Sequence, residues 1–172
     1  QSLPQAIQTM LDPADCGPAC ISLSQDVQGE VYEYPEEFFK EKVHNIRRPR
    51  PDDYQIKEAA EKIKKSKNPI IISGGGVFYS EAMEELSTFA IKHNIPTTQT
   101  VMGYSTMKRD HSHFLGPIGG LGGKAANNFA KKTDLAIAIG TKLGDFTTGS
   151  WANFENPNFG LVSINVTRFD AN

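Results

Sequence analysis

At 172 residues the chain can build one core that buries about 70% of its unfolded surface, and it is too short for two full domains. Its 38% hydrophobic and 22% charged fractions, with no apolar run near the roughly 18 residues needed to span a bilayer, exclude the disordered and membrane-spanning classes. Eighteen Lys and Arg stand against 20 Asp and Glu, and a net charge of -2 supplies no long-range field for nucleic acid.

The chain starts at Gln1 without an initiator methionine or signal segment and stops just after a strand-like run, so it is expected to be part of a longer protein. Leu3, Ile7, Met10 and Leu11 predict a short amphipathic helix over residues 3–11, ended by Asp12 and Pro13. Residues 19–23 read as a short apolar strand. Cys16 and Cys20 are too few for a disulfide scaffold or a four-ligand zinc site, and read as buried structural thiols in a reducing cytosol. Residues 29–51 carry Pro35, Pro49, Pro51 and the basic cluster Arg47, Arg48 and Arg50. That composition predicts an extended surface linker with one helical candidate at 35–43.

From Asp52 the pattern becomes regular. Ile56, Ala59, Ala60 and Ile63 predict a helix over 52–67, and 69–73 (Pro-Ile-Ile-Ile-Ser) is a β-branched run without alternation, hence a strand covered on both faces. After the glycine triplet 74–76, Ser80 is placed as the N-cap of a helix through Met83, Leu86 and Ala90, with Glu81, Glu84 and Glu85 near its positive end. Residues 95–100 predict a further strand, 121–132 a helix, and 135–139 (Leu-Ala-Ile-Ala-Ile) and 161–166 two more strands. Doubly covered strands separated by helices need crossover connections. The fold class is therefore α/β, a three-layer α/β/α sandwich on a mainly parallel, Rossmann-like sheet.

Ligands of such sheets bind beyond the carboxyl ends of the strands. Three glycine-bearing turns are expected there: Gly74, Gly75 and Gly76; the stretch 119–123; and Gly140 with Thr141. Glycine lets a backbone approach a pyrophosphate, but it also permits a tight strand-to-helix turn and nothing more. The dinucleotide fingerprint fails because Tyr79 stands where its third glycine belongs, and Thr98, Gln99 and Thr100 replace the acidic ribose ligand. His111 and His113 lack a third metal ligand in recognisable spacing and read as surface histidines of a loop, while His44 and His93 stand alone on helical segments. Gly144-Asp145-Phe146 begins like a metal-diphosphate motif that Phe146 breaks. No nucleophile–base pair or carboxylate dyad has supporting context, so no catalytic or metal residue is assigned.

The ordered series 69–77, 134–149 and 161–166 resembles the central domain of thiamine diphosphate-dependent enzymes of the acetohydroxy acid synthase-like superfamily. The blocks 24–30, 34–36, 146–151 and 163–171 are similar to the branch that hydrolyses a cyclic 1,2-dione in myo-inositol degradation. The resemblance implies that residues 1–26 end a pyrimidine-binding domain, 27–51 link domains, and 52–172 form a central domain truncated at its carboxyl end. It implies thiamine diphosphate and Mg2+ in the parent protein, at sites outside these residues, and carbon–carbon hydrolysis by addition of a thiamine ylid to a carbonyl. Flanking domains of the same chain would be its partners, within a cytoplasmic dimer or tetramer. In flavin-containing relatives FAD lies along loops that match Gly74, Gly75, Gly76, the glycine stretch 119–123, Gly140, Thr141 and the strand end near Asn165. The stretch 119–124 departs from their Gly-Met-His-Gly pattern and Lys142 from their arginine, so FAD is not expected and the domain reads as a spacer. The alternative is an FAD- or ADP-binding domain of an acetohydroxy acid synthase-like enzyme.

Overall fold

Three consecutive isoleucines set the centre of the fold. Ile70, Ile71 and Ile72 are fully buried in β1 (Pro69–Ser73), with Ile71 facing one layer of helices and its two neighbours the other. A run of β-branched residues without alternation demands this double covering. The computed structural model describes residues 2–167, which divide by compactness at Pro49/Arg50 into two units.

The second unit contains a five-stranded, wholly parallel sheet in the order β3-β2-β1-β4-β5. Beside β1 lie β4 (Leu135–Ile139) and β2 (Thr97–Gln99), with β3 (Phe114–Pro117) and β5 (Gly160–Ile164) at the edges. The register pairs Ile71 with Ile137 and Thr97, and Ile137 with Val162. One face packs on Ala59 and Ile63 of α2 (Asp53–Lys65) and on Leu86 and Ala90 of α4 (Met83–His93). The other packs on Ala126 and Ala130 of α5 (Lys124–Ala130). The expected three-layer α/β/α architecture is thus the observed one.

Local chemistry explains most boundaries. Asp52 caps α2 by accepting from the Gln55 amide, while the Gln55 side chain accepts from the Asp52 amide in return, a reciprocal capping box. The turn from α2 into β1 is tied to the start of β4 by Asp134, which accepts from the Ser66 hydroxyl, the Lys67 amide (2.7 Å) and the Asn68 amide (3.0 Å). Partial burial opposes ionisation of this carboxyl, but those hydrogen bonds outweigh it and hold Asp134 below the usual carboxylate range.

Several expectations are corrected. Ser80 does not start α4: it closes α3 (Gly75–Tyr79), a short helix that the glycine triplet itself opens with Gly74 as N-cap, and α4 begins after Ala82. The helix expected over 121–132 is confined to Lys124–Ala130, because Gly123 is its N-cap. Besides α3, neither β3 nor α6 (Asp145–Thr148) was expected. The block read as 163–171 reaches past the described residues: positions 168–171 lie outside them.

The first unit carries α1 (Ser2–Met10), as expected, and none of its described residues is buried. Residues 19–23 form no strand. Strand backbone needs a neighbouring ladder to take up its amides and carbonyls, and this unit has no strand among its described residues. Cys16 and Cys20 are likewise exposed free thiols rather than buried ones, as the described residues of this unit form no buried core. The helical candidate at 35–43 shrinks to one 3-10 turn, Glu36–Phe39, and His44 lies outside any helix. Around that turn Tyr32, Tyr34, Phe38 and Phe39 stack edge-on or tilted, with neighbouring centroids 5.0–5.3 Å apart.

Candidate functional site

The carboxyl edge of the sheet gathers the glycine turns. Beyond β1 and β4 the parallel ladder continues into the loops: the Gly74 amide donates to the Ile139 carbonyl (2.8 Å), the Gly76 amide to Gly140 (2.9 Å) and the Gly140 amide to Ile164 (2.8 Å). Asn165 donates from its side-chain amide to the Thr141 carbonyl (3.2 Å). Gly74, Gly75, Gly76, Gly140, Thr141 and Asn165 therefore do meet in one place, across the ends of β1, β4 and β5.

What they make there is a closed contact between backbones. A Cβ on Gly74 would lie 2.3 Å from the Gly140 carbonyl oxygen, and one on Gly76 would lie 2.5 Å from the Gly140 Cα. Gly140 also has a left-handed backbone, φ +58°, which favours glycine. The Gly74 and Gly76 amides donate to the β4 strand end and its loop, and the Val77 amide donates to Gly74. Loop thus fits closely against loop at these glycines.

The remaining turns are fastened in the same manner. Asn127, on α5, accepts from the Gly119 amide (2.9 Å) and donates to the Gly119 carbonyl (3.0 Å), so one side-chain amide imitates a paired strand. Gly120 donates to the Phe146 carbonyl (2.7 Å), and Gly119 lies so close to it that a Cβ would sit 1.9 Å away. Asn127 was missed as a site-building residue, since an Asn inside a helix carries no signal of its own. Under β1 and β2, Ser73 donates to the Thr98 carbonyl (2.9 Å), its hydroxyl lies 2.7 Å from that of Thr106, and Thr106 donates to Gly103. The buried side-chain oxygen of Gln99, at the end of β2, has no hydrogen-bond partner among the described residues.

The other sequence candidates lie elsewhere. His111 and His113 serve as fasteners between α4 and the loop before β3. His111 Nε2 is 3.0 Å from the Ser87 hydroxyl, and His113 Nε2 is 2.9 Å from the side-chain oxygen of Asn94. Gly144, Asp145 and Phe146 form the N-cap and first residues of α6. Among the described residues no three His, Cys, Asp or Glu side chains converge in a way that could hold a metal ion. No helix among the described residues is long and apolar enough to cross a membrane.

Comparison with known proteins follows this geometry. The family model for the central domain of thiamine pyrophosphate enzymes matches residues 56–172. The chain is 49% identical over 164 residues to a 3D-(3,5/4)-trihydroxycyclohexane-1,2-dione hydrolase of Clostridium perfringens, covering 95% of this chain and 26% of that protein. A hydrolase of the same name from Clostridium botulinum is 49% identical over 166 residues, covering 96% and 26%. Another, from Shouchella clausii, is 43% identical over 167 residues, covering 97% and 26%. The chain spans about a quarter of the length of these relatives.

Proposed function

The chain belongs to the family of thiamine pyrophosphate enzyme central domains, and on that footing we propose that it is the non-catalytic middle domain of a longer hydrolase. That hydrolase depends on thiamine diphosphate and Mg2+ and cleaves a carbon–carbon bond of a cyclic 1,2-dione in myo-inositol degradation. The observation that carries this reading is the 43–49% identity to dione hydrolases over nearly the whole chain. The cofactor supplies a nucleophilic carbon and an electron sink, and the segments flanking this chain hold it.

The domain's own part is mechanical. A sheet covered on both faces, with its carboxyl-end loops locked backbone to backbone, is a stiff spacer that fixes the separation and orientation of what is attached to it. The closed glycine turns and the missing acidic ribose ligand support a spacer over an FAD- or ADP-binding role. On this reading the longer protein is a cytoplasmic homodimer or homotetramer.

The direct test is ring opening of 3D-(3,5/4)-trihydroxycyclohexane-1,2-dione with thiamine diphosphate and Mg2+. The longer protein should turn it over and residues 1–172 alone should not. A longer protein that instead makes acetolactate from pyruvate would replace the hydrolase reading with that of an acetohydroxy acid synthase, and turnover by residues 1–172 would end the spacer reading.

A further inference from the structure

The loops at the carboxyl edge of the sheet expose large apolar side chains. Tyr79 is 76% exposed, Met102 and Phe146 75%, Leu121 72% and Tyr104 71%. They are not scattered, because the loops that bear them touch. A Cβ on Gly75 would meet the Met102 carbonyl at 3.0 Å, Gly74 abuts Gly140 and Thr141, and Gly119 abuts Phe146.

Charge is sparse on this rim. Residues 74–81, 100–106, 118–123 and 140–151 hold three charged side chains, Glu81, Lys142 and Asp145, in a chain whose charged fraction is 22%. Depletion of charge together with aromatic and methionine side chains is the composition of an interface core, and an exposed apolar patch of this kind marks a surface that another body covers. The backbone points to the same edge. Of the five described non-glycine residues with positive φ, four lie in these loops: Glu81 (55°), Ser105 (71°), Ser150 (54°) and Trp151 (67°). Strained backbone of this kind gathers at functional surfaces.

The occupant follows from two observations. An anionic nucleotide is a poor match, because the turn amides at Gly74, Gly76 and Val77 are already spent and one lysine is the only cation of the rim. Ample protein, on the other hand, is available: the relatives are about four times as long as this chain. We propose that the carboxyl-edge rim is a docking surface for an uncharged, apolar protein face belonging to the part of the longer protein outside these 172 residues. This rests on the reading of the chain as one domain of a longer protein, and it says which face of the spacer is gripped.

Photo-crosslinking in the longer protein tests it, with p-benzoylphenylalanine placed at position 102 or 146 and, as a control, at position 64 on the exposed face of α2. Copies labelled with different nitrogen isotopes are mixed so that each crosslink can be assigned to its chain. Positions 102 and 146 should crosslink to peptides outside the 172 residues at least tenfold more than position 64. No crosslink, equal crosslinking from position 64, or crosslinks to these same 172 residues of a second copy would each overturn the proposal. Because the readout is a mapped peptide, a longer protein that crosslinks as expected but leaves the dione intact removes the hydrolase reading and leaves the docking surface standing.

Discussion

Replacing Gly74 by alanine drives a methyl group into two backbones that already touch. The new carbon would lie 2.3 Å from the Gly140 carbonyl oxygen and 2.4 Å from the Thr141 Cβ, where ordinary contact begins near 3.4 Å, so the β1 and β4 loops must part by about 1 Å. Overpacking of that kind costs about 1–3 kcal/mol. Stretching the Gly76-to-Gly140 hydrogen bond, now 2.9 Å, adds about 1 kcal/mol, for roughly 2–4 kcal/mol in all. Gly140→Ala meets Gly76 at 2.6 Å and also leaves alanine at φ +58°, which adds about 1–2 kcal/mol. Gly120→Ala is the control, for its Cβ would find only the Phe146 oxygen at 3.9 Å. Urea unfolding followed by the fluorescence of Trp151, the chain's one tryptophan, reports on the second unit. With a slope of about 2 kcal/mol per molar, Gly74→Ala should lower the midpoint by about 1–2 M, and Gly120→Ala should leave it within about 0.3 M. A Gly74→Ala midpoint equal to that of the parent would refute the closed contact.

Three further outcomes are expected. Asn127→Ala strips both partners from Gly119 and should cost about 2 kcal/mol in the same unfolding assay, while Asn127→Asp, which accepts but cannot donate, should cost less. Asp134 has a folded pKa below its unfolded value near 3.8, so its contribution is present above that value and is lost as pH falls through the folded one. Asp134→Asn should therefore lower stability by about 1–2 kcal/mol at pH 7 and flatten the decline measured between pH 5 and pH 3, and an unchanged decline would contradict the role given to this carboxylate. Cys16 and Cys20 should both react with Ellman's reagent in the native chain at free-thiol rates, and a need for denaturant would contradict their exposure.

Much of the sheet was legible because β1 and β4 are unbroken apolar runs, a pattern that only double burial explains. β3 was hidden by its own sequence, since Phe-Leu-Gly-Pro ends in two strand breakers. Edge position explains why it forms: Gly116 takes φ 92° and Pro117 needs no amide where no neighbour asks for one. The opposite error at 19–23 has the same root, for apolar composition predicts a strand only where a partner strand exists. At the carboxyl edge the sequence placed the glycine turns correctly but left their purpose open. Whether a glycine makes room for a ligand or for another loop depends on what stands opposite, and Gly140 stands opposite Gly74 from 66 positions away in sequence. The clamp by Asn127 is invisible for a similar reason, because its partner Gly119 lies outside the helix that carries it.

The spacer role is tested most directly by the melting temperature of residues 1–172 with 1 mM FAD or ADP. Closed turns predict no shift from the unliganded value. A ligand bound with a dissociation constant of about 10 μM would stabilise the fold by about 2.7 kcal/mol and raise the midpoint by roughly 5–10 °C, and a rise of that size would contradict the account.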